Sequence, residues 1–154
     1  MNLSKHFTKA EFEHSNTAIQ RGISNFMDSG QTQKAIDLCE NVLEPLRAHV
    51  GQPIKLNCGY RSPLVNKAVG GAKSSQHILG EAADLDLHDA SIVEWIKDNL
   101  DFDQLIAEFP SNGKPSWLHV SYRKGRNRKQ ILVATKKAGK TVYLPYSEAE
   151  HLLY

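Results

Sequence analysis

Three residues of the types that bind zinc in enzymes lie in two short segments of the chain. The first segment, SSQHILGEAADLDL, contains His77 and Asp84, and the second, WLHV, contains His119. A catalytic zinc site takes three nitrogen or oxygen ligands from the protein and keeps a fourth position open for water. His77, Asp84 and His119 are therefore the candidate ligands of a single Zn2+ ion.

Other residues near this motif leave alternatives open. Asp86 follows Asp84 by two positions, and alternation along a strand would place both carboxylates on one face, so Asp86 is a second candidate ligand. Gly80 and Ala82 are small, and we expect them to let the backbone pass close to the ion. The remaining histidines are expected to play no part in the site: His6, His14, His49, His88 and His151.

The two cysteines are not expected to contribute to a metal site. Cys39 and Cys58 form no Cys-x-x-Cys motif, and one possible pair is not a disulfide framework. Free cysteines of this kind are usually buried as small apolar side chains. The metal site should therefore be built from histidine and carboxylate alone.

The elements that position these residues begin with helices. Thr8 and Glu11 form a capping box that opens a short first helix. Apolar spacing predicts a helix over residues 31–50, in which Pro45 should cause a kink or the loss of one backbone hydrogen bond. A serine followed by a proline is typical of a helix start, and this pair begins a helix that stops before Gly70: Ser62 and Pro63.

Strands dominate the second half of the chain. Alternating apolar and polar residues predict strands over 54–58, 83–88, 103–109 and 117–122, with a helix over 91–100 and a last hairpin, QILVATKKAGKTVYLP. Helices that come first and strands that are mostly linked as hairpins favour an α+β fold. We expect a single domain over residues 1–154, with N-terminal helices packed on a small, mostly antiparallel sheet.

Composition and charge exclude several classes of protein. The chain is 40% hydrophobic and 23% charged, as in an ordinary globular domain, and it contains no apolar run long enough for a membrane span. The start, MNLSKHFTKAEF, has no features of a signal peptide, so synthesis in the cytoplasm is expected. The net charge is +2, but residues 123–140 carry eight basic residues and no acid.

This basic segment lies in a predicted C-terminal hairpin over residues 123–145. It could contact an anionic polymer such as nucleic acid or teichoic acid, or it could simply be a solvated surface. It contains no nucleic-acid-binding motif and few interleaved aromatic residues, so nucleic acid is not expected as a partner.

The complete metal motif resembles a known family. The pattern Ser75-x-His77-x-x-Gly-x-Ala-x-Asp84, followed by Trp117-x-His119, is similar to that of the zinc D-alanyl-D-alanine carboxypeptidases. The similarity is greatest to small carboxypeptidase-like and endolysin-type phage proteins, and it includes the segments LSKHFTKAEF, VLEPLR and CGYRSPLVNKAVGG. The resemblance covers roughly residues 3–122, and it implies the Hedgehog/DD-peptidase fold.

The resemblance also implies roles for individual residues. It makes His77, Asp84 and His119 the zinc ligands, and it makes Arg61 a catalytic residue that holds substrate and stabilises the oxyanion. A guanidinium suits this role because it stays charged and presents several donors; the alternative is a structural salt bridge. Ser75 is expected either to bind substrate near the metal or only to cap a turn.

The general base is the point at which this chain departs from better-known relatives. Several of them have an acid three residues before the last histidine, where this chain has Ser116, and a serine is too weak a base. If the hairpin turn is centred between Gly113 and Lys114, Glu108 lies directly across from His119 on the same face. Glu108 is therefore the predicted base, with Asp86 or Glu81 as alternatives, and a register slip of one residue would turn it away.

The activity implied is hydrolysis of peptidoglycan stem peptides by a zinc metallopeptidase, either at the D-Ala-D-Ala end or at an internal bond such as L-Ala-D-Glu. We expect a monomeric, phage-type lytic enzyme that reaches the cell wall after release or as a virion component. The alternative is a catalytically silent, zinc-containing cell-wall binding module of the same fold, because the Hedgehog relatives use this fold for recognition.

Overall fold

A computed structural model describes residues 1–154, and a six-stranded sheet forms its centre. The strands follow the order β1-β2-β4-β3-β5-β6 across the sheet, and all neighbours are antiparallel except β3 and β5. The fold is thus α+β with a mostly antiparallel sheet, as the sequence predicts. The strands are β1 (Leu56–Cys58), β2 (Ala82–Leu85), β3 (Gln104–Glu108), β4 (Trp117–Ser121), β5 (Gln130–Lys137) and β6 (Lys140–Pro145).

The two faces of the sheet have different environments. Because side chains alternate along a strand, Leu105 and Ala107 of β3 point to one face, with Leu118 and Val120 of β4 beside them. All four are fully buried and belong to a core cluster of 27 residues shared with the helices. The opposite face of the same strands carries the candidate site residues.

Seven helices surround this sheet, and none is long and apolar enough to cross a membrane. The capping box of Thr8 and Glu11 is present, and Ser62 caps a helix that has Pro63 in its first turn, as predicted. The helices are α1 (Lys9–Glu13), α2 (Asn16–Arg21), α3 (Ser29–Leu38), α4 (Glu44–Val50), α5 (Pro63–Ala68), α6 (Ala90–Asn99) and α7 (Tyr146–Ala149).

The predicted helix over 31–50 is continuous but changes its geometry ahead of Pro45. A π-helical segment, Cys39–Leu43, joins α3 to α4, and the Glu44 N–H bonds to the Cys39 carbonyl, five residues back. Proline lacks an N–H and its ring crowds the preceding turn, and a wider turn relieves this crowding. The helix therefore accommodates Pro45 by a local change of hydrogen bonding.

The predicted hairpin over residues 123–145 is shorter than expected. Paired strands occupy only Gln130–Lys137 and Lys140–Pro145. Residues 123–129 instead form a loop, in which Arg128 bonds to the buried carboxylate of Asp103 through its backbone and its guanidinium. Arg123 bonds through Nε to Glu81, which is also buried. Two of the eight basic residues are thus paired with buried acids while part of each side chain reaches solvent.

Candidate active site

A cleft of about 790 Å³ opens on the face of the sheet that is turned away from the main core. Strands β2, β3 and β4 form its floor, and the segment from Arg61 to His77 forms one wall. The cleft contains every residue that the sequence analysis assigned to the site: Arg61, Ser75, His77, Asp84, Glu108 and His119.

Asp84 lies at the centre of this group. Its Oδ1 atom is 3.3 Å from Nε2 of His77 and 3.1 Å from Nδ1 of His119. Two ligand atoms bound tetrahedrally to zinc, at bond lengths of about 2.0–2.1 Å, are separated by about 3.3 Å. The two imidazoles and the carboxylate have the chemistry of zinc ligands, and each histidine nitrogen lies at the distance from Oδ1 of Asp84 that two ligand atoms on one zinc ion require.

The sheet and the following helical turn bring these three residues together. Asp84 and His119 are directly opposite each other on β2 and β4, so the sheet register fixes their contact. His77 lies in the 3₁₀ turn Gln76–Leu79, which leads into β2. Residues 35 positions apart in the chain thus become neighbours only through strand pairing.

The orientation of the His77 ring is set by the backbone of Gly59. The Nδ1–H group donates to the Gly59 carbonyl at 2.6 Å, which leaves Nε2 free on the side of Asp84. Such contacts fix the tautomer and ring orientation of a metal-binding histidine. A glycine is needed there because an added Cβ would lie 2.7 Å from Cα of Phe12.

Cys58 also lies in this group, contrary to the expectation that the cysteines stay apart from it. Ligand atoms of Cys58, His77 and Asp84 all fall within 4.8 Å of one another. His119 is not part of that set. The Cys58 sulfur is 3.8 Å from Nδ1 of His77, the nitrogen that is already bonded to the Gly59 carbonyl. The thiol is thus a neighbour of the far side of the ring, and no sequence motif marked it.

Burial and mutual contact shift the pKa values of His77, Asp84 and His119 from their ordinary values. Burial alone disfavours a charged imidazole, but the Asp84 carboxylate outweighs it and raises the pKa of His77 to about 10. Burial opposes ionisation of Asp84 as well, yet the two histidines hold the pKa of Asp84 well below its usual range. Burial lowers the pKa of His119. Without metal, a proton on His77 therefore balances Asp84, and a divalent cation would displace that proton.

Glu108 faces the cleft, but its partner across the sheet differs from the prediction. Glu108 pairs with Trp117, and Ile106 is the residue opposite His119. The hairpin turn is centred between Asn112 and Gly113, which both have positive φ, and it is closed by Ser111 and Lys114. The register thus differs by two positions, which keeps Glu108 on the face of His119.

The environment of Glu108 favours its neutral form in the absence of metal. Its side chain is buried, and burial, together with the negative charge of Asp84, raises the pKa of Glu108 to about 7. A carboxyl group with such a pKa can accept and release a proton near neutral pH. Ser116, in contrast, donates its hydroxyl to the Phe109 carbonyl within the hairpin.

Arg61 and Ser75 contact each other at the wall of the cleft. Nη2 of Arg61 donates to Oγ of Ser75 at 3.2 Å, and the same oxygen accepts from the backbone N–H of His77. Arg61 forms no ion pair, and its buried Nε has no hydrogen-bond partner. Ser75 therefore caps the turn that carries His77 and also holds the guanidinium in place.

The structure places the alternative candidates elsewhere. Asp86 lies beyond the end of β2, 2.7 Å from His88 at the rim of another cavity. Glu81 is buried against Arg123, outside the cleft. Gly80 does not make room for an ion, because a Cβ there would lie 2.5 Å from the backbone oxygen of Gln31 in α3. That glycine is required for packing of the turn against a helix.

Two arginines and a tyrosine are among the cleft residues that the sequence analysis did not assign to the site. Arg123 and Arg128 lie at one end, and Tyr143 of β6 lies near Glu108. Tyr143 is brought there by the parallel pairing of β3 with β5, because Glu108, Ala134 and Tyr143 form one row across the sheet. A parallel contact between distant strands has no local signature in the sequence.

A cluster of imidazole and carboxylate groups in a cleft beside an unpaired arginine is typical of a metal-dependent hydrolase. A model of the family described as Peptidase M15 matches residues 5–121, which is well over half of the chain. The chain therefore belongs to the peptidase M15 family, whose members are zinc enzymes, and the resemblance seen in the sequence is confirmed. No curated protein matches the chain.

Proposed function

We propose that this protein is a zinc metallopeptidase that hydrolyses amide bonds in the stem peptides of peptidoglycan. His77, Asp84 and His119 would hold the single ion. The observation that supports this most is the approach of one nitrogen of His77 and one of His119 to Oδ1 of Asp84. Glu108 and Arg61 lie in the same cleft. Zinc in such a site supplies a Lewis acid that activates water and polarises a carbonyl group.

Glu108 is the proposed general base and acid. It removes a proton from the attacking water and delivers it to the leaving amine, so that the net reaction adds one water across the amide bond. Its position on the cleft face of β3, on the same face of the sheet as His119, supports both steps. General acid–base catalysis of this kind contributes roughly 10²–10⁴-fold in rate.

Arg61 is proposed to bind the substrate and to stabilise the oxyanion. Its guanidinium is held by Ser75 at one nitrogen and forms no ion pair, so its charge stays available to the substrate. A preorganised cation in a partly desolvated cleft stabilises developing negative charge at little reorganisation cost. Ser75 acts by positioning Arg61 and the His77 turn.

The family resemblance supports a cell-wall substrate, cut at the D-Ala-D-Ala end or at an internal L-Ala-D-Glu bond. We propose a monomeric, phage-type lytic enzyme over residues 1–154, which is made in the cytoplasm and reaches the wall after release or as a virion component. These points follow from the resemblance and from the sequence rather than from the geometry of the site.

Mass spectrometry of defined muropeptides incubated with the zinc-loaded protein tests the proposal. We expect cleavage at one amide bond, no cleavage after removal of zinc with a chelator, and recovery when zinc is restored. A Glu108→Gln variant that still binds zinc is the matched control, and it should leave the muropeptides intact. Zinc-loaded protein that binds cell walls but cuts no muropeptide would instead identify a silent binding module.

A further inference from the structure

Two arginines lie at the end of the cleft nearest the start of β3, and the proposed catalytic steps do not use them. Arg123 and Arg128 line the cleft together with Gln76 and Gln104. Both come from the loop that leads from β4 to β5, and both are attached to carboxylates that are buried beneath them.

Each arginine is fixed by a hydrogen bond to a carboxylate that lies on its buried side. Nε of Arg123 is 3.2 Å from Oε1 of Glu81, and Arg128 makes two parallel contacts of 2.9 Å with Asp103. Glu81 is 3% exposed and Asp103 is 0% exposed, whereas about a third of the Arg123 side chain and half of the Arg128 side chain reach solvent. The guanidinium groups are thus fixed at one edge and open at the other.

The solvent-facing sides of the two guanidinium groups have N–H donors without a protein partner, and the local charge is positive. Both terminal nitrogens of Arg123 and one of Arg128 have no partner within the protein. Lys34 also contacts Glu81, at 3.9 Å, so three cations surround two carboxylates. Arginine forks match the planar geometry of a carboxylate, and a fixed fork loses little conformational freedom on binding.

The distance from the zinc-ligand cluster indicates which substrate group would reach this end. The Ser121 carbonyl accepts from the Asp103 backbone, and Ser121 is two residues from His119 along β4. Strand geometry makes that separation about 7 Å, on the order of two residues of an extended peptide. The arginines and the proposed ligands line the same cleft, so a group bound by the arginines would belong to a substrate residue a short distance along the peptide from the scissile bond.

We propose that Arg123 and Arg128 form a specificity subsite for a free carboxylate that the substrate carries within a few residues of the bond that is cut. The substrate class is then a stem peptide whose acidic residue is unmodified, rather than one in which that carboxylate is a carboxamide. This inference rests on the proposed peptidase function, and it assigns the arginines to substrate selection rather than to the chemical step.

Matched substrate pairs test the subsite. Synthetic stem peptides that carry either a carboxylate or a carboxamide at one, two or three residues from the scissile bond are compared by kcat/KM. Charge-assisted hydrogen bonds of this kind predict a preference for the carboxylate of about 10- to 100-fold at one position. The ratio of two substrates on one enzyme does not depend on how much of the preparation is folded.

Two variants locate the effect. Arg123→Gln is combined with Glu81→Gln, and Arg128→Gln with Asp103→Asn, so that no buried charge is left without its partner. Each pair should reduce the preference severalfold. Lys124→Gln removes a neighbouring exposed charge that does not line the cleft, and it should keep the wild-type ratio. Equal cleavage of both peptides by the wild type, or an unchanged ratio in both arginine variants, overturns the subsite.

A binding measurement separates failure of the subsite from failure of the peptidase proposal. The zinc-loaded Glu108→Gln protein is titrated with the same peptide pairs, and the carboxylate form should have a Kd lower by about 10-fold or more. Equal affinities refute the subsite even if the wild type proves to be a peptidase. A clear preference in binding by Glu108→Gln, together with no turnover of either peptide by the zinc-loaded wild type, supports the subsite and refutes the peptidase.

Discussion

Replacement of Glu108 by glutamine should stabilise the metal-free protein while it abolishes activity. Glutamine has nearly the shape of glutamic acid but cannot ionise, so it removes the cost of charging a buried group. Burial and the charge of Asp84 raise the pKa of Glu108 from its ordinary value of 4.5 to about 7. The folded protein therefore binds a proton more tightly at this residue than the unfolded chain does.

The sign and size of the change in the free energy of unfolding follow from the difference between the Glu108 pKa in the folded and the unfolded protein. A raised carboxyl pKa costs no stability below pH 4.5, a growing amount between the two pKa values, and a constant amount above pH 7. At 1.36 kcal/mol per unit of pKa, the full cost is about 3 kcal/mol. Glu108→Gln should accordingly gain about 2 to 3 kcal/mol relative to wild type when the pH rises from 5 to 8.

Urea denaturation of both proteins in the presence of a chelator, at pH 5 and at pH 8, measures this gain. Glu40→Gln removes an exposed carboxylate from the surface and serves as the control, with a stability difference that should be nearly the same at both pH values. Turnover of Glu108→Gln should fall by about 10²–10⁴-fold. A stability difference that does not change with pH, or full activity, would refute the reasoning about Glu108.

Three further substitutions test the metal site. His77→Ala should abolish zinc binding and activity together, as measured by metal analysis and muropeptide cleavage, and an active zinc-loaded variant would contradict the ligand assignment. Gly59→Ala should lower zinc affinity by about 10- to 100-fold, because the added Cβ displaces the carbonyl that orients His77. Competition with a chelator measures this affinity. Leu46→Ala, a destabilising core change away from the cleft, is the control and should leave zinc affinity nearly intact. Cys58→Ser should change zinc affinity by only a few fold, since its sulfur lies at the far side of the His77 ring; a loss as large as that of His77→Ala would make Cys58 a ligand.

The predicted ligand set illustrates what a sequence can reveal about a site. His77 and Asp84 are close in the chain, and the turn and strand between them follow from local patterns. His119 is a candidate by residue type, and the resemblance to a family motif supports it, because nothing local in the sequence links it to Asp84. Their contact depends on the pairing of β2 with β4, a long-range feature that only the structure displays.

The register of the β3–β4 hairpin was predictable, and the prediction was nevertheless wrong. Asn112 and Gly113 form the Asn-Gly pair that is typical of a two-residue hairpin turn, because both positions need positive φ. Centring the turn there gives the observed pairing of Glu108 with Trp117. The expectation that Gly80 makes room for the ion was not met, for a different reason. Gly80 packs against Gln31, which is distant in the chain, so no local pattern indicates this close approach.

The parallel contact between β3 and β5 has a consequence for how substrate preference could diverge among related enzymes. The proposed metal ligands and Glu108 lie within the matched region 5–121, whereas Thr141 and Tyr143, which also line the cleft, lie beyond it. The proposed catalytic residues and this part of the cleft are thus encoded by separate, consecutive stretches of chain. Exchange of the terminal strands between homologues could alter peptide selection and leave the ligand geometry untouched.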